Sequence, residues 1–201
     1  MAEAFRRLPK YVVLRSRRCT NYRNYLQFLW NDDEFGGGYH KAMGAIRDLE
    51  VVSPFVKLEV VPSATNPSWA VHLLCSCNNK YLEVVRHKDT DLMYVSATAD
   101  RPVDDPNVSS STMFNLSFKH PAVVALHHGG TDRLVAISAA TGVAMAVPTT
   151  EGEYFEYFPW ESHEEKMKAK DKENKTLSDV LYLIILLVAL YVLMLIGGVM
   201  G

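Results

Sequence analysis

The amino-acid sequence predicts an all-β domain built from three copies of one short strand pattern. Each copy opens with a small apolar strand, and these opening strands are predicted at residues 11–14, 70–74 and 123–126. A second strand follows a polar turn, around residues 24–26, 80–82 and 133–135. Each copy closes on an aromatic strand that runs into a proline, over residues 55–62, 114–121 and 155–159. Repetition at a period of roughly 40–60 residues indicates a threefold all-β assembly.

The predicted β domain spans residues 8–160, where short apolar strands alternate with turn residues and no long amphipathic helix occurs. Three repeats of about four strands each match a β-trefoil, a barrel of six strands capped by hairpins. The shared core is predicted to hold the large apolar residues at the repeat ends, which are Phe55, Leu58, Phe114, Leu116, Phe155 and Tyr157.

The charge balance is that of an ordinary globular protein. A formal net charge of −2 and an average apolar content favour neither disorder nor nucleic-acid binding. Basic residues nevertheless crowd the start of the chain, at Arg6, Arg7, Lys10, Arg15, Arg17, Arg18 and Arg23. Such a cluster could meet phosphates or anionic lipid headgroups. A solvated strand edge, kept soluble by its charge, is the favoured interpretation.

Three cysteines, Cys19, Cys75 and Cys77, limit the covalent and metal chemistry. Their odd number argues against a disulfide framework. Cys75 and Cys77 are predicted on the same side of one strand, where disulfide geometry is hard to reach. The chain has no Cys-x-x-Cys and no His/Cys pairing at ligand spacing. We therefore expect reduced, partly buried thiols in the cytosol, and neither a metal nor a cofactor.

A membrane-spanning helix is predicted over residues 180–200. These 21 residues carry no charge, and fourteen of them are Leu, Ile or Val. A helix of that length reaches roughly 30 Å, the thickness of the hydrocarbon core of a bilayer. Lysines precede the segment and none follows it, which keeps the N-terminal side in the cytosol. With no secretory signal at the start, we expect a single-pass tail anchor with a cytosol-facing β domain.

Residues 161–179 connect the β domain to this segment and are rich in Lys, Glu and Asp. They are predicted to form a charged helical stalk that is solvated on all sides. Two pairs at i,i+4 spacing favour the helix: Glu164 with Lys168, and Asp171 with Lys175.

Two blocks in the second repeat are distinctive. They are Asn78-Asn79-Lys80-Tyr81-Leu82 and Val95-Ser96-Ala97-Thr98-Ala99-Asp100, and related segments occur in the first repeat at 14–16, 24–26 and 55–63. Together they resemble the amaranthin agglutinin domain of plant lectins, over about residues 10–161. The resemblance implies a β-trefoil that binds glycans of N-acetylgalactosamine or galactose type.

The resemblance also implies a binding turn just before the second block, where the family has Asn-His-Tyr-Trp. The corresponding positions here are Asp91, Leu92, Met93 and Tyr94. Tyr94 keeps an aromatic ring and Asp91 keeps an acceptor, whereas Leu92 and Met93 depart from the family pattern. The family's sites draw on an interface between two such domains. A chain with one domain would therefore need a homodimer, which a shared membrane could assist.

Trp69 and Trp30 are further candidate ligand-binding residues. A sugar offers an apolar face that stacks on aromatic rings, and hydroxyls that bind polar groups. Further turn residues that could serve a ligand, or a purely structural role, are Tyr39, His40, His87, His127 and His128.

No nucleophile, metalloprotease or phosphate-loop motif accompanies these residues, so we expect a binding protein and not an enzyme. The expected partners are glycans or glycoconjugates, and the membrane through residues 180–200. The alternative is a trefoil scaffold that binds no sugar and mediates a protein–protein interaction at a membrane.

Overall fold

The computed structural model describes residues 8–17, 25–29, 38–45 and 54–165, together with positions 168, 172, 175, 178, 181, 182, 184 and 185. Within these residues the protein is mostly β, and a helix begins at Trp160. The twelve strands described are β1 (Tyr11–Ser16), β2 (Gln27–Phe28), β3 (Met43–Gly44), β4 (Leu58–Pro62), β5 (Ala70–Cys75), β6 (Lys80–Arg86), β7 (Met93–Ala99), β8 (Met113–His120), β9 (Val123–His128), β10 (Arg133–Ile137), β11 (Ala144–Val147) and β12 (Phe155–Pro159).

Six of these strands close into a barrel. Each repeat contributes its first and fourth strands, and antiparallel pairing runs from β1 through β4, β5, β8, β9 and β12 back to β1. A closed ring leaves no unpaired sheet edge in the barrel wall. The predicted threefold assembly is therefore confirmed as a trefoil-like fold.

The second and third strands of each repeat form hairpins that cap one end of the barrel. β2 pairs with β3, β6 with β7, and β10 with β11. The hairpins are joined to one another by three contacts, which pair Ala42 with Ser96, Tyr94 with Met145, and Val143 with Gly44. Each contact repeats the same register, so Ala42, Tyr94 and Val143 occupy equivalent positions in the cap.

The barrel register identifies the equivalent core positions. The last residue of each opening strand pairs with a closing-strand residue, giving the pairs Ser16 with Phe155, Cys75 with Leu58, and His128 with Phe114. Leu58, Phe114 and Phe155 are fully buried. Their predicted place in the shared core is confirmed.

The other three predicted core residues are only partly buried, although they pack against the same core. Leu116 and Tyr157 lie two residues beyond Phe114 and Phe155, toward the end of the barrel opposite the cap. We call this end the mouth, and side chains there reach solvent. Phe55 lies in a turn at residues 54–56, and β4 begins only at Leu58.

One expectation about the cysteines is wrong. β5 ends at Cys75, and Cys77 lies in the turn that follows it, so the two do not share a strand. Both are free thiols, with Cys75 buried and Cys77 partly buried. Burial raises the pKa of each thiol above its ordinary value. Cys19 lies outside the described residues.

The chain divides into two compact units, Met1–His163 and Glu164–Gly201. The first contains the barrel and its cap. In the second, Lys168 Nζ donates to Glu164 Oε1 at 2.8 Å, which confirms the predicted i,i+4 pair. The second predicted pair involves Asp171, which lies outside the described residues.

The helical positions that the structure describes include no stretch with the length and hydropathy that a bilayer crossing requires. Most of the predicted segment 180–200 lies outside the described residues. Its described positions are helical and have exposed side chains: Leu181, Tyr182, Ile184 and Ile185.

Candidate functional site

The connection between the first and second repeats is the longest of the repeat junctions. Residues 63–69 link β4 to β5 at the barrel mouth, whereas only residues 121–122 link β8 to β9. Trp69 is the last residue of this connection, which we call the Trp69 loop. Trp69 is 45% exposed, which leaves a large apolar side chain open to solvent.

Beside Trp69 lies a groove of about 380 Å³, which we call the Trp69 groove. It is lined by Leu8, Lys10, Glu59, Val60, Val61, Pro62, Pro67, Ser68, Trp69, Val71 and Leu116. Eight of these eleven residues are apolar. A concave apolar surface with a few convergent polar groups is the usual form of a small-molecule site.

The charged groups of the groove form a pair. Lys10 Nζ lies 3.7 Å from Glu59 Oε1, and it also lies 5.1 Å from the centre of the Tyr11 ring. Interaction with the Tyr11 hydroxyl and then with the Glu59 carboxylate raises the pKa of Lys10. The groove therefore offers a charged donor, a charged acceptor and the Ser68 residue beside the Trp69 indole, which suits a neutral polyhydroxylated ligand.

Backbone hydrogen bonds hold Trp69 at the rim. The Trp69 N–H donates to the Asn66 carbonyl at 3.3 Å, and the Trp69 carbonyl accepts from Leu116 N–H at 2.8 Å. The loop itself is closed by Ser63 N–H, which donates to the Ala70 carbonyl at 3.0 Å. The backbone of Trp69 is thus fixed on both sides while its indole remains exposed.

The predicted binding turn lies elsewhere, at the β6–β7 hairpin. Asp91 is exposed and pairs with Arg86 at 3.2 Å, and Leu92 is 50% exposed. Met93 is partly buried at the start of β7. None of these residues lines the Trp69 groove.

Tyr94 is buried in the cap, with only 3% of its surface exposed. Its ring packs edge-to-face on Tyr39 with centroids 5.1 Å apart, and its hydroxyl accepts from His40 N–H at 2.9 Å. Tyr94 is buried because of its position in the cap, which is equivalent to the positions of Ala42 and Val143. Those two residues are buried as well. The aromatic face of Tyr94 is therefore not presented to solvent. The ligand-binding role of residues 91–94 stays a prediction.

The remaining candidates are distributed over the molecule. Trp30 lies outside the described residues. Tyr39 and His87 are buried in the ring cluster of Tyr94, with centroids 4.6 Å apart. His128 is buried in the barrel. His127 is partly exposed and lies 2.9 Å from Asp132.

Glu59 was not anticipated as a groove residue, and Lys10 was named only as a member of the N-terminal basic cluster. Lys10 and Trp69 each stand directly before an opening strand, β1 and β5. That Glu59 lies beside Lys10 follows only from the pairing of β1 with β4. The equivalence of Lys10 and Trp69, each directly before an opening strand, was the available signal.

The two distinctive sequence blocks meet each other in the structure. Asn78 Nδ2 donates to the Ala97 carbonyl at 2.9 Å, and Asn78 Oδ1 accepts from Lys80 N–H at 3.1 Å. Lys80 also forms an ion pair with Asp100. The first block builds the β5–β6 turn and the second ends β7 beside it, so both blocks have a structural role.

Comparison with known proteins shows the fold and no family. No family model matches the chain, and no curated protein matches it. Solved structures that match include a Caenorhabditis elegans protein of unknown function, with 10% identity, coverage of 75% of this chain and 94% of that one, and a TM-score of 0.54.

Two further solved structures match the chain over a similar range. The designed threefold-symmetric protein ThreeFoil matches with 12% identity over 74% of this chain and 98% of its own, with a TM-score of 0.52. The SDF2-like protein from Arabidopsis thaliana matches with 14% identity over 74% of this chain and 92% of its own, with a TM-score of 0.52. These likenesses establish a trefoil-like fold.

Proposed function

We propose that this chain is a lectin-like protein that binds carbohydrate through the Trp69 groove. By analogy with the amaranthin agglutinins, its ligands are glycans of N-acetylgalactosamine or galactose type. The trefoil-like fold provides a scaffold that suits such a role. The protein binds its ligand without transforming it.

The observation that carries the proposal is the exposed indole of Trp69 beside the Lys10–Glu59 pair. An aromatic face can stack on the apolar face of a sugar, and a neighbouring carboxylate and ammonium can bind its hydroxyls. The groove volume of about 380 Å³ lies in the range of small-molecule sites. Exposure separates Trp69 from the buried Tyr94 as the stacking residue.

The test is a glycan array and titration calorimetry with the full-length chain, using N-acetylgalactosamine and galactose. We expect Trp69→Ala to weaken binding at least about tenfold, or ~1.4 kcal/mol. Leu92→Ala is the matched control, because it removes an equally exposed apolar side chain from the other candidate turn. Weakening by Leu92→Ala alone would move the site to residues 91–94.

Because the family's sites use two domains, the experiment also needs a dimeric form of the chain. The wild-type chain is measured both as purified and as a forced dimer. Absence of sugar binding in both forms would reject the lectin proposal.

A second candidate function is a scaffold for a protein partner at a membrane. The observation that favours it is the apolar character of the groove, whose eight apolar residues could accept a hydrophobic side chain. The array separates the two candidates, because a scaffold of this kind binds no glycan.

We also propose that residues 180–200 anchor the chain in a membrane with the β domain in the cytosol. Residues 161–201 fused to a fluorescent protein should be sufficient for membrane targeting. The β domain of the full-length chain should remain open to protease added on the cytosolic side. A diffuse fluorescence signal, or a protected β domain, would contradict this arrangement.

A further inference from the structure

A hydrogen-bonded network outside the Trp69 groove leads to the loop that carries Trp69. It joins Ser63, Asp104 and His72, and none of these residues lines the groove. Asp104 belongs to the connection between β7 and β8, whereas Ser63 follows β4 and His72 lies within β5. The network therefore ties the Trp69 loop to a segment about forty residues further along the chain.

The first step of the network is a buried histidine that holds Asp104. His72 is almost fully buried, and its Nε2 lies 3.1 Å from Asp104 Oδ1. Its Nδ1 lies 2.7 Å from Thr112 Oγ1, which in turn accepts from Val103 N–H at 2.9 Å. These partners fit a ring that donates from Nε2 to Asp104 and accepts at Nδ1 from the Thr112 hydroxyl.

The second step is Ser63, whose hydroxyl donates to the same oxygen of Asp104. Because the Ser63 hydroxyl proton is used in the bond to Asp104, the lone pairs of Ser63 Oγ are free to accept. They accept from Thr65 N–H at 3.2 Å and from Asn66 N–H at 3.1 Å. The Asp104 carboxylate therefore fixes the rotamer that lets Ser63 hold the turn.

The third step reaches the rim of the groove. The Asn66 carbonyl accepts from Trp69 N–H at 3.3 Å and from Ala70 N–H at 3.0 Å. Asp104 also accepts directly from Ala64 N–H at 3.4 Å. An unbroken path of hydrogen bonds thus runs from His72 through Asp104, Ser63 and Asn66 to Trp69.

The ionisation of Asp104 agrees with this geometry. Burial opposes the charge, but hydrogen bonds from Ser63 and His72 outweigh it and hold the pKa of Asp104 below its ordinary value. The carboxylate is therefore an acceptor for all of its partners at neutral pH.

We propose that Asp104 is a positioning residue for the Trp69 groove: held by buried His72, its carboxylate orients Ser63, and Ser63 sets the loop that presents the Trp69 indole. The effect on sugar binding rests on the proposed function. The effect on the loop does not, because it concerns the position of Trp69 in the unliganded chain.

The test compares Asp104→Ala with Asp104→Asn in the full-length protein. Ser63 and His72 both contact Oδ1, so an asparagine oxygen in that place keeps both bonds and gives up only the long Ala64 N–H bond to Oδ2 at 3.4 Å, whereas alanine removes all three. We expect Asp104→Ala to weaken N-acetylgalactosamine binding about tenfold and Asp104→Asn to bind within about twofold of wild type. Ser63→Ala should weaken N-acetylgalactosamine binding as much as Asp104→Ala does.

A second readout does not depend on any ligand. Acrylamide quenching of Trp69 fluorescence is obtained as the difference between each chain and the same chain carrying Trp69→Phe. We expect Trp69 in Asp104→Ala and Ser63→Ala to be quenched differently from wild type, and Trp69 in Asp104→Asn to be quenched like wild type.

The outcomes are distinguishable. If no chain binds sugar but Trp69 quenching changes as expected, the proposed function fails and the positioning role of Asp104 stands. Unchanged quenching in folded Asp104→Ala, or in Ser63→Ala if the former does not fold, would overturn the positioning role. Equal changes in Asp104→Ala and Asp104→Asn would overturn it as well.

Discussion

One position shows how the barrel accepts different side chains at equivalent sites. The last residue of the opening strand is Ser16, Cys75 or His128, and all three are buried. Of the three, His128 needs the most hydrogen-bond partners, because both nitrogens of a buried imidazole require one. Its Nε2 lies 2.6 Å from the Ser111 carbonyl and its Nδ1 lies 2.9 Å from Thr131 Oγ1. Burial nevertheless lowers the pKa of His128 below its ordinary value of 6.5.

This shift predicts a loss of stability on mild acidification. Below about pH 6.5 the unfolded chain binds a proton at His128 that the folded chain does not, so acid favours unfolding. The slope from this single group is at most about 1.4 kcal/mol per pH unit. His128→Gln keeps a donor for the Ser111 carbonyl and does not titrate. Urea unfolding from pH 7.5 to 5.5 should therefore show a shallower decline for His128→Gln than for wild type, and equal slopes would contradict the prediction.

At the scale of elements, the β5–β6 turn explains the first of the two distinctive sequence blocks. Asn78 bridges the turn to the end of β7, and Asn79 adopts a φ of 56°, in the left-handed region. Asparagine tolerates this conformation better than most residues, and glycine tolerates it best. The sequence block is thus accounted for by the turn it forms.

The turn predicts that its two asparagines differ in their contribution to stability. Asn78→Ala leaves the Ala97 carbonyl and Lys80 N–H without this partner and should lower the free energy of unfolding by about 1–3 kcal/mol. Asn79→Gly should change it by less than about 1 kcal/mol, because the left-handed conformation is retained at no steric cost. Urea unfolding measures both. Loss of sugar binding in Asn78→Ala without loss of stability would instead indicate direct contact between Asn78 and the ligand.

At the scale of the whole molecule, the first turn of the helix belongs to the barrel unit. Trp160 is buried with Val13 and Val56 on the outer side of β1. His163 lies edge-to-face on Tyr25, with centroids 5.0 Å apart. The compact unit accordingly extends to His163, a few residues past the last barrel strand.

This packing predicts that the position of a truncation matters. A chain of residues 1–159 lacks Trp160 and should be less stable than a chain of residues 1–165 by about 3–5 kcal/mol, the usual cost of deleting a buried aromatic side chain. Trp160→Ala in the longer chain is the matched control and should reproduce most of the loss. Equal midpoints of thermal unfolding for the two truncations would contradict the role of Trp160.

The sequence predicted the opening strands of all three repeats because short apolar runs between turn residues are a local signal. It also named Trp69, although only as one of several candidate ligand-binding residues in turns. The burial of Tyr94 could not be read locally, because it follows from pairing with Met145 in another repeat. The Lys10–Glu59 pair was missed for the same reason, since β1 and β4 are brought together only by barrel closure.

The unequal length of the repeat junctions has a consequence for valency. Residues 63–69 carry the exposed indole, the β8–β9 junction has only residues 121–122, and β12 meets β1 by strand pairing without a covalent link. A threefold scaffold with these junctions presents one Trp69 groove per chain, so the proposed function predicts that each chain binds one glycan there. Cross-linking of glycan-bearing surfaces would then require several chains held together, and confinement to a membrane would raise their effective concentration.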